Sequence, residues 1–143
     1  MKTGKTILIS VSFLLLMVGL LSLGSCKKKA VAPDAAALLK SGTWKIKTVT
    51  VDGADKLSLF TGMTLNFSAT NFTSTNGAPV WPASGTWTFN SDKTFLTRGD
   101  GVVVFVDNIT EPSLGLSLSW SKTTVGGGRA GSVAGAHVFT FGK

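Results

Sequence analysis

The chain has 143 residues and a formal net charge of +7, with one cysteine, one histidine and no tyrosine. A single cysteine excludes a disulfide framework. From Ser41 onward eight Lys/Arg are opposed by six Asp/Glu, which excludes a nucleic-acid-binding domain, because such a domain carries a clear surplus of positive charge on its folded surface.

The N-terminal segment predicts export. Lys2 and Lys5 precede 17 uncharged residues, Ile7 to Leu23, and this arrangement is typical of a secretory signal. The run ends in Leu23-Gly24-Ser25-Cys26, which resembles the bacterial lipobox. The resemblance implies that Cys26 receives a diacylglycerol thioether, that the chain is cut before Cys26, and that the new amino terminus is acylated. The alternative is an uncleaved anchor helix with Cys26 as an ordinary thiol.

We therefore expect three parts: a signal peptide over residues 1–25, a lipidated cysteine with its tether over 26–37, and one β domain over 38–143. Lys27 directly after Cys26 resembles outer-membrane sorting of bacterial lipoproteins, so we expect a membrane-anchored protein of the cell envelope, in the outer membrane. Lys27–Lys29 fit either a contact with anionic head groups or a solvated linker. A short helix is predicted over Asp34–Lys40, with Asp34 as its cap.

Alternating apolar residues predict an all-β fold of about eight short antiparallel strands. The first strand changes its apolar phase, which predicts a bulge near Thr48. Val102–Val106 is uninterrupted, so both of its faces are expected to be covered. Eight strands closing into a barrel leave an interior that side chains fill or that holds one small ligand. The predicted strands are Trp44–Val51, Met63–Phe67, Asn71–Thr75, Gly85–Phe89, Thr94–Arg98, Val102–Val106, Leu114–Trp120 and His137–Phe141.

Gly42-Thr43-Trp44 opens the first strand after a short helix and resembles the Gly-x-Trp entry of lipocalins. With the lipobox, the lysine tether and the hairpin from Trp87 to Phe95, the layout is similar to the lipocalin-like domains of Bacteroidota lipoproteins. The resemblance implies a small up-and-down barrel in which Gly42 and Trp44 have a structural role and seal the closed end. The domain is shorter than ordinary lipocalins.

Ligand-binding candidates are Trp81, Trp87 and Phe89. Trp81 lies between Pro79 and Pro82 in a restrained loop, and an indole face stacks on sugars and other flat ligands. We expect this loop at the open end, beside the flexible Gly126–Gly131 segment. The alternative is that Trp81 folds over the barrel end as a lid. A separate alternative is that the interior is filled and the loops are solvated connections, with the following side chains as the candidates: Phe67, Phe89, Phe95, Phe105 and Leu118.

The sequence predicts no enzyme, metal or cofactor. His137 has no neighbouring ligand partner, and a zinc site needs three or four ligands, so His137 is interpreted as a strand-end histidine bonded to backbone. Gly126–Gly131 matches G-x-G-x-x-G but lacks the strand–helix context of a nucleotide site. Two functions remain. One is a module that binds a small apolar or glycan-type ligand, and the other is a structural or interaction protein without a named partner.

Overall fold

The structure is a computed structural model that describes residues 34–121 and 133–143. The predicted signal peptide, Cys26 and the Gly126–Gly131 segment lie outside the described residues. The elements are α1 (Ala35–Leu39), β1 (Thr43–Val51), β2 (Ala54–Asp55), a 3₁₀ helix (Leu57–Phe60), β3 (Thr64–Phe67), β4 (Asn71–Thr75), β5 (Ser84–Phe89), β6 (Phe95–Arg98), β7 (Val103–Ile109), β8 (Ser113–Trp120) and β9 (Gly135–Gly142).

The strands form one closed antiparallel barrel. From β3 to β9 each strand pairs with the next one along the chain, and β1 pairs with both β3 and β9. Eight strands thus close the barrel, while β2 is an additional short strand paired with the end of β1. The predicted all-β, eight-stranded, up-and-down barrel is confirmed, and β2 is the strand that the apolar alternation did not reveal.

The two ends of the barrel differ. At one end, which we call the helix end, β1 begins and β9 ends beside α1. The Asp34 carboxylate accepts a hydrogen bond from the Ala36 amide at 3.3 Å, so the predicted capped helix is confirmed. Trp44 is fully buried there, and its indole N–H donates to the Leu39 carbonyl at 2.9 Å. The opposite end, where β1, β4 and β8 end, is called the loop end.

The predicted bulge in β1 is confirmed. Ile46 pairs with Phe141 and Thr48 with Thr140, so the register shifts between Ile46 and Thr48. One additional residue reverses the faces of a strand. This shift lets Trp44, before the bulge, and Val49, after it, both reach the interior.

The prediction that both faces of the Val102–Val106 run are covered is wrong. Val104 is buried, whereas Val103 and Phe105 are 40% and 52% exposed. The physical reason is that the outer wall of a single-layer barrel has no second layer to cover it. Phe95 pairs with Phe105 across β6 and β7, with ring centroids 6.1 Å apart, on this outer face. Phe95 and Phe105 therefore do not fill the interior.

Large side chains pack the interior. Phe67 and Leu118 contribute to the core as the filled-barrel alternative expects, and Phe89 is half-buried against it. The largest fully buried side chains include three that come from outside the predicted strands or carry charge: Phe60, Trp81 and Arg98. These three lie at the loop end.

Candidate functional site at the loop end

The segment 76–83, between β4 and β5, turns inward over the loop end. The Trp81 amide donates to the Gly77 carbonyl at 2.8 Å. A Cβ on Gly77 would lie 2.4 Å from Ser74 Oγ and 2.6 Å from Trp81 Cβ, so only glycine allows this close approach. The turn delivers Val80 and Trp81 into the barrel, where both are fully buried.

Aromatic rings and a guanidinium enclose Trp81. Its ring centroid lies 5.5 Å from that of Phe72 and 6.3 Å from that of Phe139, both edge to face. The Arg98 Cζ lies 4.9 Å from the indole centroid. Trp81 is at the loop end, as expected, but its faces contact the core rather than solvent. This geometry matches the lid alternative.

Trp87 and Phe89 belong to a different part of the interior. Trp87 is buried, its indole N–H donates to the Asn71 carbonyl at 3.1 Å, and its ring lies 5.2 Å from Phe89 and 5.6 Å from Phe67. The 6.2 Å contact between Phe67 and Phe72 links this group to the rings around Trp81. The three ligand-binding candidates therefore fall into two groups: Trp81 alone at the loop end, and Trp87 together with Phe89.

Arg98 is the main residue that the sequence reasoning missed. Its side chain is only 1% exposed. Nη1 donates to the Val80 carbonyl at 2.7 Å, Nε donates to Asp100 Oδ1 at 3.2 Å, and Nη2 pairs with Asp100 Oδ2. A buried charge needs such a partner because its desolvation costs several kcal/mol. Arg98 thereby ties the 76–83 segment to the end of β6.

The alternation in β6 contained a signal for the burial of Arg98. Leu96 and Arg98 are two residues apart, and residues two apart share one face of a strand. Leu96 is buried, so Arg98 had to face the interior too. Its guanidinium also lies 5.8 Å from the Phe72 centroid and 6.0 Å from the Trp120 centroid.

His137 is fully buried near the start of β9. Its Nδ1 lies 3.1 Å from the Gly135 carbonyl oxygen, which confirms the predicted backbone-bonded histidine. The ring stacks on Phe139 at 5.6 Å and meets the edge of Phe60 at 6.2 Å. Burial lowers the pKa of His137, partly opposed by the Gly135 hydrogen bond and the Asp52 carboxylate. The neutral ring therefore donates from Nδ1 and leaves Nε2 as an acceptor.

Three polar atoms at the loop end have no hydrogen-bond partner among the described residues. They are Ser74 Oγ, Trp81 Nε1 and His137 Nε2. Leaving such a group unpaired costs about 1–3 kcal/mol. The indole N–H donates, the imidazole nitrogen accepts, and the hydroxyl does either. The loop end thus has unused hydrogen-bonding capacity within an apolar interior.

Neither a metal-ligand cluster nor a membrane-spanning helix is present in the described ranges 34–121 and 133–143. These ranges contain no group of three His, Cys, Asp or Glu that could hold a metal ion. No helix in them is long and apolar enough to cross a membrane. Two turn carboxylates bind backbone amides: Asp52 accepts from the Ala136 amide at 2.9 Å and Asp55 from the Leu57 amide at 2.9 Å.

Comparisons of the chain with protein-family models, curated proteins and solved structures found no match.

Proposed function

We propose that the protein is a lipid-anchored lipoprotein of the cell envelope, located in the outer membrane, whose lipocalin-like barrel binds a small ligand at the loop end. The anchor is the lipid on Cys26, supported by the lipobox-like Leu23-Gly24-Ser25-Cys26. The observation that carries the binding proposal is the set of buried polar atoms at the loop end that have no hydrogen-bond partner among the described residues. Buried polar groups in folded proteins are normally hydrogen-bonded to protein, water or ligand.

The surroundings of these atoms favour an apolar ligand with one or two polar groups. The walls near Trp81 are mainly aromatic and aliphatic, including Phe72 and Phe139, and the Arg98 guanidinium beside it is already paired with Asp100. An oligosaccharide would bring many hydroxyl groups, and each one left without a partner in this interior is costly. A small amphiphile with a hydroxyl or carbonyl group fits better than a glycan. Because Trp81 is fully buried, the ligand enters when the 76–83 segment moves outward.

Fluorescence of the full-length protein tests the ligand. The wild type and Trp81→Phe are titrated with fatty acids, bile-type amphiphiles and oligosaccharides. We expect an emission change with the amphiphiles in the wild type that is absent from Trp81→Phe, because only Trp81 leaves its packed environment. If no compound class changes the wild-type emission up to millimolar concentration, the binding proposal fails.

Cell fractionation of Cys26→Ala in the full-length chain tests the anchor. We expect the wild type in the membrane fraction with the added mass of lipid on a chain that begins at Cys26. The variant should lose this processing, because the lipid acceptor is gone. A variant that remains in membranes as a processed protein of unchanged size would contradict the proposal.

A second candidate function is binding to another protein through the outer wall of a filled barrel. A row of residues on that wall favours it. Phe95 pairs with Phe105, Phe105 with Ser117, and Ser117 with Val138, so the row crosses four strands without a charge. Phe105 and Val138 are 52% and 43% exposed. Exposed apolar patches of this kind often mark protein contacts. Phe105→Ser should leave ligand titrations unchanged and weaken such a contact.

A further inference from the structure

Four exposed lysines meet at the helix end, and we call them the lysine surface: Lys40, Lys45, Lys47 and Lys143. Lys40 follows α1, while Lys45 pairs with Gly142 at the end of β9. The Lys47 side chain also passes close to Gly142, because a Cβ on Gly142 would lie 2.7 Å from Lys47 Cε. The first part of β1, the end of β9 and the end of α1 thus gather positive charge on one side of the barrel.

The lysine surface is available for a partner. The Lys143 ammonium is held by the Ser41 hydroxyl at 2.7 Å and lies 5.1 Å from the Trp44 centroid. Within residues 34–121 and 133–143, the ion pairs are Lys93–Asp34 and Arg98–Asp100, so neither uses a lysine of this surface. In the described part of the helix end, the carboxylates are Asp34, which is paired with Lys93, Asp92 in the same turn as Lys93, and Glu111 in the neighbouring turn. The four lysines of the surface and Lys93 outnumber these three carboxylates, so the helix end keeps a net positive charge.

The described part of the loop end has the opposite sign. Asp52 and Asp55 are exposed there against the single exposed lysine Lys56. Arg98 is buried and paired with Asp100, so it adds no free positive charge to this end. Among the described residues, the helix end therefore carries a net positive charge and the loop end does not.

The tether connects the helix end to the anchor. Cys26 lies eight residues before Asp34, and a chain of that length spans at most about 28 Å. Lys27–Lys29 add three positive charges within this tether. If Cys26 carries lipid, the lysine surface is kept near the membrane, whose anionic head groups attract lysines.

We propose that the lysine surface contacts anionic phospholipid head groups and holds the barrel with its helix end on the membrane and its loop end facing away. This orientation rests on the proposed anchor at Cys26. It leaves the 76–83 segment free to move, because the membrane then covers the opposite end.

Lysine labelling tests the orientation. Full-length protein purified from membranes is reconstituted into vesicles of phosphatidylcholine, or of phosphatidylcholine mixed with phosphatidylglycerol, and reacted with an amine acylating reagent. Mass spectrometry quantifies each lysine. We expect Lys45 and Lys47 to react about fivefold less on the anionic vesicles, the factor expected for one lysine at an anionic surface. Lys56, at the loop end, is the internal control and should react equally on both.

Salt and lysine substitutions show whether the protection of the lysines is electrostatic or is due to burial. In about 1 M NaCl, where the screening length falls to roughly 3 Å, the protection should disappear. In a variant with Lys45→Gln and Lys47→Gln, the protection of Lys40 and Lys143 should weaken, whereas the matched Lys56→Gln should leave it intact. Equal reactivity of Lys45 and Lys47 on both vesicles, or selective protection of Lys56, would overturn the proposed orientation.

The intact mass of the purified protein tests the lipid on Cys26 independently of the lysine surface. A protein without added lipid contradicts the proposed anchor whatever the lysines show. In that case Cys26 is coupled to a maleimide lipid in the same vesicles, which imposes the tether chemically. Protection of Lys45 and Lys47 by anionic lipid then still supports the lysine surface, and its absence rejects it.

Discussion

At the scale of single residues, the described part of the loop end contains two buried ionisable groups that are stabilised in different ways. The buried Arg98 guanidinium pairs with Asp100 and donates to the Val80 carbonyl. His137 instead stays neutral, since burial against Phe60 and Phe139 lowers its pKa. The charged group fixes the 76–83 segment, whereas the neutral group makes stability depend on pH.

We expect acid to destabilise the wild type through His137. The pKa of this histidine is lowered from 6.5 in the folded state, so on acidification the unfolded chain takes up a proton before the folded chain does. Its contribution is fully present above about pH 6.5 and is lost as the pH falls, with a slope of at most about 1.4 kcal/mol per pH unit. Urea unfolding between about pH 7.5 and 5 measures this slope.

His137→Phe is the matched control for this prediction. It keeps an aromatic ring against Phe139 and removes the only titrating imidazole of the chain. The variant should lose most of the wild-type pH dependence in the same window. If the two stability curves run parallel, His137 does not supply the effect.

At the scale of elements, the 76–83 segment decides what the loop end can do. It connects β4 to β5, yet it places two fully buried side chains, Val80 and Trp81, in the interior. Its contacts include the Gly77–Trp81 backbone hydrogen bond, the Arg98–Val80 hydrogen bond, and the packing of Trp81 on Phe72, Phe139 and the Arg98 guanidinium. Opening of the segment breaks these contacts but leaves the pairing of β4 with β5 in place, so we expect the opening to be a local event.

Gly77→Ala should displace Trp81. The new methyl group would lie 2.6 Å from Trp81 Cβ, so the backbone must shift, and overpacking of this kind typically costs about 1–3 kcal/mol. We expect a red-shifted emission of Trp81 together with lower stability. Gly115→Ala is the control, because its nearest neighbour would be the Asn108 nitrogen at an ordinary 3.5 Å. Unchanged emission in Gly77→Ala would show that Trp81 does not depend on this approach.

At the scale of the whole molecule, pairing of β1 with β9 closes the barrel, and Trp44 is buried at its helix end. The Trp44 ring is fully buried. Its indole N–H donates to the carbonyl of Leu39, the last residue of α1, and the Lys143 ammonium lies over the ring. This residue joins the helix, the first strand and the last strand. Its removal should therefore affect the stability of the entire barrel rather than one end.

Trp44→Ala should destabilise the protein by about 3–5 kcal/mol, the range for a large buried aromatic side chain. This is a large part of the free energy of unfolding of a domain of this size, about 5–15 kcal/mol. Phe105→Ala, on the exposed outer wall, should change stability by less than about 0.5 kcal/mol. Urea unfolding of the two variants gives both values, and a loss below about 1 kcal/mol for Trp44→Ala would contradict a sealing role.

The local pattern of the sequence predicted most of the strands because each strand has one apolar face. The clean alternation from Leu114 to Trp120 became β8, with all four apolar side chains buried. The phase change near Thr48 became the bulge in β1. These features depend on residues that are close in the chain, so the period of two reveals them.

Only the tertiary structure decided which wall residues are covered and how the loop end is filled. Exposure of Phe105 follows from the single-layer wall, and burial of Trp81 follows from Gly77, Ser74 and the approach of β9. Arg98 became a core residue because Asp100 and the distant Val80 carbonyl satisfy its guanidinium. These outcomes depend on contacts between residues far apart in the chain, and no local period encodes such contacts.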